Sequence, residues 1–128
     1  MTIRWLTREA PEAIHGEQLI EHGGLPGIKD ENAIEASLAR PLNKAAYGEP
    51  DLFDLAAAYL YGIVRNHGFS DGNKRTGFLA AYTFLFINGH EVQASNADVV
   101  QFVLDVASGV IGEENAARWF RDVAVPHG

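Results

Sequence analysis

The stretch KRTGFLAAYTFLFIN, residues 74–88, decides the fold of this chain. Its apolar side chains lie almost all round the circumference of a helix, which is typical of a central buried helix rather than a surface helix. Gly89 follows as the expected helix stop. Strand signals are weak, and only residues 2–6 and 42–48 are candidates for short extended pieces. The sequence therefore predicts an all-α protein, a helical bundle around the helix that starts at Lys74.

Helical periodicity continues towards the amino terminus. Residues 7–21 are expected to form the first helix, with Thr7 as its N-cap and a Gly-Gly pair at its end. Asp30 is expected to cap a short second helix that Pro41 ends, because proline disfavours helical geometry in the residue before it. Residues 42–50 are then expected to form an irregular loop.

The clearest amphipathic pattern of the chain begins after Asp51, its expected N-cap. Its inward stripe is predicted to consist of Leu52, Leu55, Ala56, Tyr59, Leu60 and Ile63. Ser95 or Asn96 is expected to cap a further helix. The predicted inward face of that helix consists of Val99, Val100, Val103, Leu104 and Ala107. The last helix is expected at residues 113–123.

Composition and charge narrow the class of protein. The chain has 128 residues, of which 47% are hydrophobic and 21% charged, so we expect one soluble globular domain covering residues 1–128. The absence of cysteine excludes disulfides, thiolate zinc sites and thiol catalysis, and is consistent with a reducing cytoplasm. A formal net charge of −7 disfavours nucleic acid as the partner.

No membrane or export segment is expected either. The longest strongly apolar run, residues 78–87, is about half of the roughly 20 residues that a membrane span requires. Charges interrupt the first residues, MTIRWLTREAPEAI, so they lack the apolar core of a signal peptide. The sequence therefore predicts a cytoplasmic protein.

The polar break before the central helix, HGFSDGNKRTG at residues 67–77, carries the chemistry. Lys74 and Arg75 fall in the first turn of a helix, where the macrodipole is positive and each cation costs roughly 0.3–1 kcal/mol. Sequences normally place acids there, so two cations indicate that an anion binds at this position. Free backbone N–H groups, a close turn at Gly72 and the two cations together form a phosphate cradle.

Two further side chains of this break suit phosphate chemistry. Asp71 is positioned to hold Mg²⁺, which takes one or two carboxylates together with phosphate oxygens and water. His67 is the nearby group that can accept a proton near neutral pH. Phe69, between them, is expected to plug into the core. The alternative is a purely structural role: a polar connector in which Asp71 only caps the helix and Asn73 only forms local hydrogen bonds.

The break resembles the motif of the Fic/Doc superfamily, and specifically of its Doc (death-on-curing) branch, H-x-F-x-[D/N]-[A/G]-N-K-R. The residues that match it are His67, Phe69, Asp71, Gly72, Asn73, Lys74 and Arg75. The likeness extends to GGLPGIKD at residues 23–30, to LARP at 38–41 and to FLFINGHE at 84–91. It therefore covers most of the chain.

The resemblance implies an all-α Fic-type fold, with at most a minor β flap, that acts as the toxin of a toxin–antitoxin system. In Doc-like members a lysine fills one phosphate subsite, so ATP binds reversed and its γ-phosphate is transferred to a protein hydroxyl. Elongation factor Tu is the target that the resemblance implies. The implied partner is an antitoxin whose disordered segment folds on binding.

Roles carry over position by position. The resemblance implies that His67 is the general base and that Asp71 holds Mg²⁺. The implied phosphate-binding residues are Gly72, Asn73, Lys74 and Arg75. Two positions depart from the family pattern. Gly68 stands where proline is common, and Phe78 replaces the second arginine of AMP-transferring members, which agrees with the Doc branch.

Alternatives stay open. AMP transfer to a protein hydroxyl is one, and a catalytically silent module that only binds its antitoxin is another. A helix-turn-helix DNA-binding protein is disfavoured by the net charge. Residues 44–51 lie where Fic proteins keep the flap that positions the target, or form an idle connector. The histidines outside the motif are interpreted as surface or satisfied core residues: His15, His22, His90 and His127.

Overall fold

This computed structural model describes residues 2–127, which contain six helices and two short strands. In chain order they are α1 (Glu9–His22), α2 (Glu31–Ala46), α3 (Leu52–Asn66), α4 (Asn73–Ile87), β1 (His90–Val92), α5 (Asn96–Ser108), α6 (Glu113–Val123) and β2 (Ala124–Pro126). The predicted all-α class is confirmed. Within the described residues the one sheet is the antiparallel pair β1–β2, in which Val92 lies opposite Ala124.

Helices α3 and α4 form the centre of the bundle. Helix α3 packs against α2 on one side and α6 on the other, and α4 packs against both α3 and α1. Leu60 of α3 and Phe84 of α4 are fully buried, as their periodic patterns predicted. The two helices approach closely at Gly77, where an added Cβ atom would lie 2.8 Å from Val64 Cγ2.

Side-chain caps begin three of the helices where the sequence predicted them. At α3 the Asp51 carboxylate accepts a hydrogen bond from the Asp54 N–H at 2.8 Å. The Asp54 carboxylate accepts in return from the Asp51 N–H at 2.9 Å, which completes a capping box. Asp30 caps α2 and Ser95 caps α5 in the simpler way, each accepting an N–H from three residues further on.

The prediction that Pro41 ends the second helix is wrong. Helix α2 continues through Pro41 to Ala46, so residues 42–46 are helical rather than part of a loop or strand. Pro41 is buried on the same face as Ile34 and Leu38, against α3. Burial of this continuous face offsets the roughly 3 kcal/mol that proline costs inside a helix.

The rotation of α5 also differs from the prediction. Its buried residues are Phe102, Val103 and Val106, whereas Val100 is 58% exposed and Leu104 46% exposed. The Phe102 ring stacks on Trp119 of α6 with 3.8 Å between the ring centroids. Burial of the Phe102 ring outweighs burial of Val100 and Leu104, and it turns these two side chains outwards while Val103 stays in the core.

Smaller differences lie near the amino terminus. Helix α1 begins at Glu9, so Thr7 is not its N-cap, and the carbonyl oxygen of Thr7 instead accepts the Ala10 N–H. The predicted end at Gly23 is confirmed, with a positive φ of 73°. Residues 2–6 form no strand. None of the helices described here has the length and apolar character needed to cross a lipid bilayer.

Candidate active site

The motif loop joins the two central helices. Helix α3 ends at Asn66 and α4 begins at Asn73, so the loop is anchored at both ends in the core. His67 is the C-cap of α3 with φ 52° and ψ 50°, the left-handed region. It is the one residue other than glycine with positive φ in the described part of the chain. This conformation costs about 1–3 kcal/mol, and such strain concentrates at functional sites. The side chain is exposed.

Phe69 and Asn73 brace the loop from inside. Phe69 is 2% exposed, which confirms its predicted inward position. Asn73 Oδ1 accepts the Phe69 N–H, and Asn73 Nδ2 donates to the Phe69 carbonyl oxygen, both at 3.0 Å. The amide of Asn73 is therefore used within the loop. Its contribution to an anion site is limited to the main-chain N–H at the start of α4.

The glycine-rich connector between α1 and α2 lies against the loop. Ile28 and Phe69 form an antiparallel bridge, and the Gly68 carbonyl oxygen accepts the N–H groups of Lys29 and Asp30 at 2.8 and 3.0 Å. At Gly68, a Cβ atom would overlap the side chain of Ile34. Glycine therefore stands at position 68, where proline is common in the family, at a place where the loop contacts α2 tightly. The two hydrogen bonds to the Gly68 carbonyl oxygen hold the loop against the connector.

Asp71 lies at the mouth of the loop with an exposed side chain. Its Oδ1 accepts the N–H of Gly72 at 2.8 Å, and its Oδ2 accepts the N–H of Leu25 at 3.4 Å. An added Cβ at Gly24 would lie 2.7 Å from Oδ2, so the missing side chain of Gly24 lets the carboxylate approach the connector. The carboxylate bonds to the N-cap residue and makes no side-chain cap inside α4.

The start of α4 contains the residues of the predicted phosphate cradle. Gly72, its N-cap, has φ 77°, and the first turn contains no acidic residue. Lys74 and Arg75 are both exposed there. Neither takes part in an ion pair within residues 2–127, where the paired lysine and arginine side chains are Arg8, Arg40, Lys44 and Arg121. The positive end of the helix and two free cations thus face solvent together.

His15 of α1 packs against the loop, a contact that the sequence analysis did not predict. The side chain is 5% exposed, so of the two predicted alternatives, surface or core, His15 takes the core position. Its Nε2 lies 2.7 Å from the carbonyl oxygen of Asp71. Its ring stacks on that of Phe69, with 4.1 Å between the centroids and 14° between the planes. The available signal was its place four residues after the buried Pro11, on the inward face of α1.

A groove opens beside the cradle. It has a volume of about 640 Å³ and is lined by α1, α4 and α5, with Lys74 and Arg75 among its residues. The apolar part of its lining includes Phe78, Leu79, Tyr82, Val99, Val100 and Leu104. Val100 and Leu104 of α5 therefore face this groove instead of the core, next to the two cations.

A magnesium ion fits this site only together with phosphate. No group of three or more His, Asp or Glu side chains lies close enough to hold a metal ion among the residues described. Asp71 supplies one exposed carboxylate beside the cradle. This matches Mg²⁺, which is bound by one or two carboxylates with the remaining positions filled by substrate phosphates and water.

The segment at 44–51 has two parts. Lys44 lies in α2 and forms an ion pair with Glu113 of α6, so its side chain ties two helices together. Tyr47 follows the helix in the loop before α3, and its side chain is 91% exposed. The loop itself is short, because α2 extends to Ala46.

Fold and site together define a class: an all-α protein with a glycine-containing loop and two exposed cations at the start of its central helix. The model of the Fic/DOC family matches residues 5–85. "Protein kinase doc" of Escherichia phage P1 is 35% identical over 120 residues, which are 93% of this chain and 94% of that protein. "Toxin Doc" of Mycolicibacterium smegmatis is 45% identical over 78 residues, 59% of each chain. The chain belongs to the Fic/Doc family, and the resemblance drawn from its motif is confirmed.

Proposed function

We propose that this protein is the toxin of a toxin–antitoxin system and that it transfers the γ-phosphate of ATP to a hydroxyl group of a target protein. One observation carries the proposal: Lys74 and Arg75 are exposed at the positive end of α4, and the loop that leads into it exposes Asp71 and His67. The names of the two relatives, a protein kinase and a toxin, support the same activity.

The side chains of the loop divide the work of phosphoryl transfer. His67 accepts the proton of the target hydroxyl, whose oxygen then bonds to the γ-phosphorus. The bond from the γ-phosphorus to the β,γ-bridging oxygen breaks, and ADP leaves. Lys74, Arg75 and the N–H groups at the start of α4 bind the phosphate oxygens. Mg²⁺ held by Asp71 would supply neutralisation of the phosphate charge.

Lys74 and Phe78 favour transfer of phosphate over transfer of AMP. A lysine side chain occupies a phosphate subsite where a glycine would leave room for the nucleotide. Phe78 takes the place of the second arginine of AMP-transferring members. Its half-buried ring stacks on Phe120 at a centroid distance of 6.3 Å, so this position serves packing. AMP transfer is the second candidate.

Elongation factor Tu is the proposed target, and the proposed partner is an antitoxin with a disordered segment that folds on binding. The groove beside Lys74 has an apolar lining between α4 and α5, which suits an amphipathic helix. A cytoplasmic location stays a prediction.

Labelled ATP distinguishes the candidates. With purified elongation factor Tu, label from γ-labelled ATP should appear on the target, and His67→Ala should lower the rate roughly 10²–10⁴-fold. His127→Ala, at a histidine outside the motif, is the control. Label from α-labelled ATP alone would instead establish AMP transfer. Antitoxin binding without transfer of either label would establish a silent module.

A further inference from the structure

The peptide group between Asp71 and Gly72 has a fixed direction. Its carbonyl oxygen lies 2.7 Å from His15 Nε2. Because a carbonyl only accepts hydrogen bonds, Nε2 must carry the proton and donate it. In a planar trans peptide the N–H points opposite to the C=O. The Gly72 N–H therefore points away from His15, to the side where the Asp71 carboxylate lies at 2.8 Å.

The direction of this peptide group matters for anion binding, because the group could also adopt the opposite orientation. Gly72 has φ 77°, and a glycine permits the neighbouring peptide to rotate by half a turn at little steric cost. The rotated group would direct a carbonyl oxygen into the cradle. A phosphate would then meet an acceptor in place of a donor, which is repulsive.

We infer that His15 is a positioning residue, which keeps the Asp71–Gly72 peptide in the orientation that presents its N–H to a phosphate oxygen. The inference rests on the proposed function, because it assumes that the cradle binds the phosphates of ATP. A carboxylate oxygen accepts this N–H in the structure, which shows that the donor is accessible to an anion. A phosphate oxygen at the same N–H would release the Asp71 carboxylate towards Mg²⁺.

The imidazole is itself held rigidly enough for this role. It is almost fully buried and stacks on the buried ring of Phe69, whose main-chain N–H and carbonyl are held by two hydrogen bonds to the Asn73 side chain. A Cβ atom added at Gly72 would lie 3.6 Å from His15 Cδ2, so the ring lies close beside the turn. The same side chain thus contacts two positions of the loop from α1, Phe69 and the Asp71 carbonyl.

The chain contains a matched control for a merely structural histidine. The His127 ring stacks on Phe86 with a centroid distance of 4.2 Å, and its Nε2 lies 2.7 Å from the Phe86 carbonyl oxygen. It therefore makes the same two contacts as His15, a stacked ring and a bond to a main-chain carbonyl. None of its partners belongs to the motif loop.

Two substitutions separate the hydrogen bond from the stacked ring. His15→Phe keeps a ring on Phe69 and removes the donor, whereas His15→Gln keeps a donor near the position of Nε2 and removes the ring. Calorimetry with the magnesium complex of β,γ-imido-ATP measures affinity without turnover. His15→Phe should weaken this affinity about 10–100-fold, as loss of an outer-shell partner does. His15→Gln should retain most of it, and His127→Phe should match the wild type.

Two outcomes of the affinity comparison would overturn the inference. One is an unchanged affinity in His15→Phe, and the other is an equal loss of affinity in His15→Phe and His15→Gln. If neither variant folds by thermal unfolding, nitrogen NMR of the wild type decides, because a proton on Nδ1 in place of Nε2 would exclude the hydrogen bond. A wild type that binds the analogue but transfers no phosphate would contradict the proposed function alone, and the affinity comparison would still test His15.

Discussion

At the scale of single residues, three side chains of the loop occupy positions that folding alone disfavours. His67 adopts the left-handed backbone region, and Lys74 and Arg75 lie at the positive end of α4. Residues that break local rules without a compensating contact are typical of functional sites. Substitution of each of these residues should therefore lower the activity and leave the stability unchanged or raise it.

Replacing both cations tests the cradle. The double variant Lys74→Gln, Arg75→Gln should lose nucleotide binding, while its free energy of unfolding rises by about 0.3–1 kcal/mol for each cation removed from the helix start. Calorimetry with the imido analogue and urea unfolding at low salt measure the two effects. Arg118→Gln, at an exposed arginine of α6, is the control. Intact nucleotide affinity in the double variant would refute the phosphate cradle.

The variant His67→Gly separates the backbone strain at this position from the proposed role of the imidazole as general base. Glycine accepts φ 52° without the steric cost of about 1–2 kcal/mol that a side chain meets in the left-handed region. The variant should be at least as stable as the wild type and should lose phosphate transfer by about 10²–10⁴-fold. Urea unfolding and γ-label transfer measure this. A stable variant with full activity would remove His67 from the proposed mechanism.

At the scale of elements, the start of α3 predicts a pH dependence. Burial alone would raise the pKa of Asp51, but hydrogen bonds from the Asp54 N–H and Arg121 outweigh it and hold the pKa below its ordinary value. The ionised cap therefore stabilises the fold above the unfolded pKa of about 3.9, and this contribution is lost as the pH falls through the lower folded value.

Asp51→Ala tests this cap. At pH 7 the variant should lose about 0.5–2 kcal/mol of unfolding free energy, because the capping bond is removed. The difference from the wild type should shrink as the pH is lowered below about 4. Urea unfolding at both pH values checks the trend. A difference that grows in acid would contradict the lowered pKa.

Two helical glycines should respond to alanine with opposite signs. At Gly77 the new methyl group meets Val64 at 2.8 Å, so Gly77→Ala should destabilise the protein by about 1–3 kcal/mol through overpacking between α3 and α4. Nothing lies within 4 Å of the corresponding position at Gly16, so Gly16→Ala should stabilise α1 by about 0.5–1 kcal/mol. Thermal unfolding compares the pair. A Gly77→Ala variant as stable as the wild type would contradict the close α3–α4 contact.

The sequence predicted those elements whose cause is local. The capped start of α3, the apolar circumference of α4 and the cations at its first turn all follow from neighbouring residues. The course of α2 through Pro41 and the rotation of α5 depend on packing against other helices, which a periodic pattern does not contain. His15 was interpreted as a surface or core residue, because its contact with Asp71 spans 56 positions of the chain.

At the scale of the whole molecule, ligand binding should be visible as stability. Magnesium and the imido analogue at 100 times the dissociation constant should add about 2.7 kcal/mol to the unfolding free energy. For a chain of this size that corresponds to a rise in Tm of about 10 °C. Differential scanning calorimetry should show the rise in the wild type and none in the Lys74→Gln, Arg75→Gln variant. An equal rise in both would place the nucleotide elsewhere.

The attachment of the loop to α4 has a consequence for the lifetime of the protein. The helix is buried along most of its length, so its amide hydrogens should exchange with solvent only when the whole bundle opens. A protease that needs an extended backbone segment must then wait for that rare event. Inside a cell, the amino-terminal turn of α4, which carries Lys74 and Arg75, should therefore stay folded for as long as the whole molecule does. Cleavage in a peripheral strand such as β2 would leave this helix intact.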